Sequence, residues 1–280
     1  MPSDRSRSMK KSRIGTNLIS KQRGPAKPKA LPLVERTNTL SLEEFKSQYI
    51  NSSELRFQKR RPERQDPTSR LQEDSSGDYP QPENTPESKK GKATPTDTYT
   101  LDIYTASTIP AADLDTCFSL IELTSSAAYK VSSMGWSATE KRKEMKLPDM
   151  KYLILRRVNS NSNNDDHDDG SNTAGEFAGF LEFMVTYEDG FEVVYCYEIH
   201  LTPETQGQGL GEELMMRFER VGARVGLEKA MLTVFKSNNR AITFYERVGY
   251  TEDESSPRPR KLRNGTVKEA DYLIMSKSLR

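Results

Sequence analysis

The stretch Glu192-Val-Val-Tyr-Cys-Tyr-Glu-Ile-His-Leu201 leads through Thr-Pro-Glu-Thr into Gln206-Gly207-Gln208-Gly209-Leu210-Gly211-Glu212 and holds the residues best suited to do chemistry. An apolar strand here runs into a glycine-rich turn that opens a helix. Glycine permits positive φ and close backbone approach, so the free N–H groups at such a helix start can cradle a pyrophosphate. The same turn can serve a purely steric end, so its surroundings decide. Glu198, at the end of the strand, is a carboxylate able to take a proton, and Tyr245 further along carries a phenol able to give one.

Gln206, Gly209 and Gly211 occupy positions that resemble the three defining places of motif A, Gln/Arg-x-x-Gly-x-Gly/Ala, of the GNAT acetyltransferase superfamily. Downstream, Asn238-Asn-Arg-Ala241-Ile-Thr-Phe244-Tyr245-Glu-Arg-Val-Gly249-Tyr250 resembles its motif B. Tyr195-Cys-Tyr-Glu198, Met231-Leu-Thr-Val-Phe-Lys236 and Glu254-Ser-Ser-Pro257 are similar more narrowly to the histone-specific N-terminal acetyltransferases, the NatD family. Tyr129, Met134-Gly-Trp136 and Glu140-Lys-Arg-Lys-Glu-Met145 continue that likeness upstream. It covers roughly residues 114–277, together with a docking helix near Phe45.

The resemblance implies an α/β (α+β) GNAT fold, a mixed, mostly antiparallel sheet splayed at its central strands and flanked by helices. It implies direct transfer of acetyl from acetyl-CoA to the N-terminal amine of histones 4 and 2A, which begin Ser-Gly-Arg-Gly. The backbone of Ile199, His200 and Leu201 would pair with the pantetheine arm like an added strand. Gln206, Gly207, Gln208, Gly209, Leu210, Gly211 and Glu212 would surround the pyrophosphate, with Asn238 also against the cofactor. Tyr129, Trp136, Glu188, Tyr195, Tyr197, Thr233, Ser255 and Tyr272 fall where the family binds the histone tail. Met134 stands where the family more often has a second tryptophan, and Thr186 where it can carry an acid facing the substrate arginine. Glu188 and Asp189 lie near enough to substitute. Without the resemblance, an aromatic residue or a threonine in a strand reads first as core or β-former.

An α-amine has a pKa of about 7.7–8.0, so a proton must leave it before it attacks a thioester, and a weak base suffices. Glu198, acting directly or through a water, is the candidate catalytic base, and a salt-bridged strand carboxylate is the alternative. Tyr245 would protonate the departing thiolate, or else merely pack beside Phe244. Strict alternation sends Tyr195 and Tyr197 to one face of the strand and Cys196 and Glu198 to the other. Tyr197 and Glu198 can share a catalytic site only if the strand is bulged, and a β-bulge is expected there. Cys196 lacks the neighbours that would activate a thiol, which argues against a covalent acyl-enzyme.

A GNAT enzyme for lysine side chains or small amines is the nearest competing reading. A non-catalytic CoA- and chromatin-binding module is the reading from another class.

The elements that must position these residues follow from composition and periodicity. Residues 1–98 hold ten of the 15 prolines and 20 Lys/Arg against 13 Asp/Glu, leaving 22 against 28 for the remainder. So polar a segment reads as a mostly disordered basic extension with one capped helix near 41–51, and residues 99–280 as the catalytic domain. The first thirty residues, including Lys10-Lys11-Ser12-Arg13, suggest a nuclear-import arm, a ribosome- or nucleic-acid-contacting arm, or a solvated tail. Two cysteines make no disulfide framework, and no apolar run approaches a membrane span. A monomeric protein of cytoplasm and nucleus, without membrane or metal, is expected. Strands are expected at 99–108, 152–158, 177–185, 192–201, 231–235 and 272–275, and helices through Leu114–Leu123, 138–145, 210–225 and 238–248. Residues 159–175 read as a flexible loop, and His167 among its aspartates is no metal site, because nothing there imposes geometry.

Overall fold

The computed structural model describes residues 31–60, 96–158 and 175–280. The basic arm at 1–30, the linker at 61–95 and the loop at 159–174 with His167 lie outside the described residues.

Strands β2 (Thr96–Thr105), β3 (Lys151–Arg157), β4 (Glu176–Glu188) and β5 (Phe191–Leu201) form an antiparallel meander. Helix α5 (Leu210–Val225) then crosses over to β6 (Lys229–Phe235), which pairs in parallel with β5. The last strand, β10 (Tyr272–Ser278), returns antiparallel to β6. With edge strands β1 (Arg56–Arg60) and β7 (Thr251–Glu252) the order is β1-β2-β3-β4-β5-β6-β10-β7. β8 (Arg260–Lys261) and β9 (Val267–Lys268) form a separate hairpin.

Each face of the sheet carries its own core. On one, α3 (Ala111–Val131) and α4 (Ala138–Glu144) bring Cys117, Phe118, Ile121 and Met145 against Tyr152, Ile154 and Phe180. On the other, α5 and α6 (Asn239–Arg247) bring Leu214, Phe218 and Tyr245 against Leu153, Leu155 and Leu181. β3 thus sends alternate residues to opposite cores, which is why it reads as an unbroken apolar run. Leu210, Leu214, Phe218, Val221 and Val225 form the buried stripe of α5 that their spacing predicts. Gly222 lets this helix sit close to β5, since a Cβ there would lie 2.6 Å from Val194 Cγ1.

The central strands splay. β5 pairs with β6 only from Val193 to Cys196, although β5 runs on to Leu201. The expected bulge is present. Glu198 faces Glu182 while Cys196 faces Phe183, so Tyr197 is the extra residue. In consequence Cys196 joins the α5/α6 core, while Tyr197 packs on the α3/α4 side, where Glu198 bonds Tyr129. Tyr197 and Glu198 therefore share a face.

Three sequence expectations need correction. The folded body begins at Pro32, not at residue 99. α1 (Leu33–Asn38), α2 (Leu42–Tyr49) and β1 all belong to it. Ser41 and Glu44 close a capping box on α2, Phe45 is 1% exposed, and Glu54 is held by Arg224 at 2.7 Å and Arg220 at 3.0 Å. Average composition hid this, because a few apolar residues suffice to dock a polar segment on an existing core. Leu123 is not on the packed face of α3; it is 69% exposed, and Leu120 takes that place. That helix also runs on past the last apolar residue of its pattern to Val131.

Phe45→Ala should destabilise the protein by about 3–5 kcal/mol in urea unfolding, as expected for a buried phenylalanine. No change would mean that α2 is a dispensable tail.

Candidate active site

Where β5 parts from β6, two cavities open on its exposed edge. A groove of about 740 Å³ is lined by Ile199, His200, Leu201, Gln206, Gly207, Gly209, Leu210, Gly211 and Asn238. One side of α6 and Thr124 of α3 complete its wall, with Tyr245, Arg240 and Arg247 the residues of chemical interest. Gly207 and Gly209 hold φ of 76° and 74°, and α5 has no side chain capping its start. Its first N–H groups are therefore free for an anion. Gly211 lies under the Phe244 ring, where a Cβ would come within 3.1 Å.

The side chains of Gln208 and Glu212, expected at the phosphates, do not line this groove. Gln208 accepts from Tyr99 at 3.1 Å and donates to the Glu204 carbonyl at 2.7 Å, and Glu212 pairs with Arg247 at 2.9 Å. Sequence reasoning missed Lys59. This lysine of β1 bonds Glu213 at 2.9 Å and stands over Gly209, its Nζ 3.2 Å from where a Cβ would be.

A second cavity, of about 460 Å³, is lined by Tyr129, Trp136, Glu188, Tyr195, Tyr197 and Thr233, all expected, together with Met134, Glu140, Lys141 and Glu144. Tyr195 and Thr233 share a hydrogen bond at 2.5 Å that ties β5 to β6 near the point of separation. Ser255 and Tyr272 are not brought to this cavity. Ser255 bonds Asp253 and lines a smaller acidic cleft that shares Glu188, and Tyr272 pairs across β10 with Phe235. Thr186 does not line the cavity either, whereas Glu188 does.

Glu198 lies between the two cavities and is 7% exposed. Its Oε1 accepts from Lys141 Nζ at 2.9 Å and Tyr129 Oη at 3.0 Å, and its Oε2 lies 2.6 Å from His200 Nε2. Burial alone would raise its pKa, but the hydrogen bond and charge of His200, followed by Lys141, bring it down to about 2. The expectation that Glu198 takes an amine proton directly does not fit this geometry, because so pinned a carboxylate has little proton affinity left. The salt-bridged reading describes it better. Lys141 had one sequence signal, its i,i+4 spacing to buried Met145, set among the flanking charges of α4.

Opposite Glu198, Glu182 is fully buried, and among the described residues neither carboxyl oxygen has a hydrogen-bond partner. Burial, then the charge of Glu198, push its pKa well up, so it is held as a neutral acid. Burial likewise raises the Tyr245 phenol and the Cys196 thiol. Tyr245 therefore stays a protonated phenol and Cys196 an inert thiol.

These shifts have opposite signs. Glu198 stabilises the fold above its unfolded pKa of about 4.5, and this is lost as pH falls toward about 2. Glu182 keeps a proton that the unfolded chain releases, so stability declines as pH rises above about 4.5. Glu182→Gln should make the slope of unfolding free energy above pH 4.5 less negative, by at most the ~1.4 kcal/mol per pH unit that one proton carries. A parallel slope in chemical denaturation would show that Glu182 ionises in the folded protein.

Residues 136–250 match the model of the acetyltransferase (GNAT) family. The chain is 29% identical over 165 residues to N-alpha-acetyltransferase 40 of Saccharomyces cerevisiae, covering 52% of this chain and 54% of that protein. It is 39% identical over 80 residues to the mycothiol acetyltransferase of Streptomyces griseus, covering 29% and 25%. The chain thus spans about half of the first relative's length and a quarter of the second's. Among solved structures it is similar to the ribosomal-protein-S18-alanine N-acetyltransferase of Escherichia coli, at 19% identity over 64% of this chain and 94% of that one, with a TM-score of 0.38. Another is the PaiA N-acetyltransferase of Thermoplasma acidophilum in complex with coenzyme A, at 16% identity over 64% and 99%, with a TM-score of 0.42. The family match spans residues 136–250, and the mixed sheet that splays after one short parallel pairing has the α/β GNAT fold.

Proposed function

We propose that the protein transfers acetyl from acetyl-CoA to the N-terminal α-amine of proteins that begin Ser-Gly-Arg-Gly, histones 4 and 2A. The observation that carries this reading is the pair of cavities on either side of one bulged strand, a phosphate-competent groove and an aromatic, acid-rimmed pocket, with the Tyr129–Glu198–His200 network between them. The likeness to a yeast N-alpha-acetyltransferase and the NatD-like Tyr195-Cys-Tyr-Glu198 favour an N-terminal acceptor.

The groove's residues fit the cofactor. The unpaired edge of Ile199 and Leu201 can meet amide groups, the uncapped start of α5 can hold the pyrophosphate, and Asn238 lines the same wall. When bound, acetyl-CoA supplies an activated acetyl thioester.

Around that thioester the protein has three tasks. Tyr129, Tyr195, Tyr197 and Trp136 form a narrow aromatic pocket suited to the small first residues of the chain. Glu188, at the cavity's edge beside the acidic cleft, would meet the arginine, in place of the acid that Thr186 lacks. Tyr245 would return a proton to the departing sulfur.

The test is label transfer from acetyl-CoA to a histone 4 N-terminal peptide, beside the same peptide with a blocked α-amine and free lysines. Label on the free-amine peptide alone is expected. Label on both would favour a lysine acetyltransferase, and label on neither, with coenzyme A still bound, a different acceptor or a non-catalytic module. Glu188→Gln should raise KM for Ser-Gly-Arg-Gly on the order of tenfold, the usual weight of a charged hydrogen bond, with little effect on Ser-Gly-Ala-Gly. Equal losses on both peptides would remove Glu188 from arginine recognition.

A further inference from the structure

Glu198 is surrounded by donors, and this leaves open where the amine's proton goes. The hydrogen-bond inventory points past Glu198 to its neighbour. An ionised carboxylate only accepts, so His200 Nε2 carries a hydrogen toward Glu198 Oε2 at 2.6 Å. The other ring nitrogen, Nδ1, lies 2.7 Å from Thr124 Oγ1, which in turn lies 2.7 Å from the Leu120 carbonyl.

Thr124 has one hydroxyl hydrogen and two satisfied ways to use it. If it donates to Nδ1, the ring is neutral. If it turns to the Leu120 carbonyl, Nδ1–H donates to Oγ1 and the ring is an imidazolium. Passing from the first to the second takes one proton onto Nδ1 and a turn of the hydroxyl about its C–O bond, and every ring nitrogen is partnered in both. Histidine held in this way, with a carboxylate on one nitrogen and a hydroxyl on the other, is the arrangement of a general base. His200 is 8% exposed, Thr124 is exposed, and both line the groove.

The charged and titratable groups around the pair come from every packed element. They are Tyr129 on α3, Lys141 and Glu144 on α4, Glu182 on β4, Glu198 on β5, and Tyr245 with Arg240 and Arg247 across the groove. Lys141 is shared between Glu144 and Glu198, and Glu182 is neutral, so Glu198 is the charge that an imidazolium would meet.

We propose that His200 Nδ1, aligned by Glu198 and reached through the Thr124 hydroxyl, accepts the proton that leaves the amine. The inference rests on the groove being the acetyl-CoA site. One ammonium N–H bond breaks, and its electron pair stays on nitrogen. The proton passes to Thr124 Oγ1 as the hydroxyl's own proton moves to Nδ1. The freed pair then forms the bond to the acetyl carbon, the carbon–sulfur bond breaks, and the second proton shed by nitrogen goes to sulfur by way of Tyr245. His200 afterwards releases its proton to solvent through Thr124.

The chain has 2 histidines, so one substitution assigns its imidazole spectrum. In nitrogen-15 spectra of the full chain, the signal absent from His200→Gln should show hydrogen on Nε2 when neutral and should titrate across the range where kcat/KM rises. His200→Gln keeps a donor for Glu198 but cannot titrate. It should lower kcat about 100-fold, within the usual range for a general base. KM for acetyl-CoA should stay within about twofold, and only the limb set by the amine itself should remain. Thr124→Val should slow turnover with the imidazole midpoint intact, and Thr124→Ser should restore it. An imidazole that does not titrate in this range, or a His200→Gln profile parallel to wild type with coenzyme A still bound, overturns the proposal alone. Failure of the wild type to bind coenzyme A would overturn the reading of the groove and the proposal with it.

Discussion

One constraint governs the molecule: β5 must satisfy its backbone along one edge while leaving the other open. β4 accompanies it to Leu201, but β6 leaves it after Cys196. An exposed strand edge is normally a liability, since its N–H and C=O groups invite another chain. Here the open edge lies in a groove flanked by α6 and the start of α5, which restricts what can pair with it. The bulge at Tyr197 is the local cost of the divergence. It also brings Tyr197 and Glu198, adjacent in sequence, to the same face, which a regular strand forbids.

The price of that arrangement is buried charge. Glu198 and Glu182 face each other across two strands, both buried from solvent, and two ionised carboxylates there would repel strongly. The molecule divides the roles. Glu198 takes Lys141, Tyr129 and His200 and stays charged, while Glu182 takes none and stays neutral. A pair of acids pushed apart in this way recurs where proton chemistry is done. It also explains why α4, a helix of mostly exposed charges, turns Lys141 inward at its single buried position.

Much of this was legible from residues alone, for physical reasons. The glycine turn declares itself through residue types that only a positive φ or a close approach requires, and the stripe on α5 through a period of 3.6. The bulge could be anticipated because two residues one position apart were both needed on one face. The places of Lys141, Glu182 and Lys59 could not be read, because burial of a charge depends on a partner distant in sequence, and no periodicity encodes it. α1 and β1 escaped for a related reason. β1 reads Arg-Phe-Gln-Lys-Arg, and only the finished sheet makes Phe57 a packing residue against Tyr99.

The docked N-terminal segment has a consequence for how the molecule is made. Leu33 N–H bonds Glu192, 159 residues away, and Arg224 reaches the Tyr49 carbonyl across 175. As the chain leaves the ribosome, this segment emerges well before α5, which carries its docking surface. Contacts of such sequence separation close slowly. The segment's sparse apolar content suits this wait, because a polar stretch can remain soluble until its partner helix arrives.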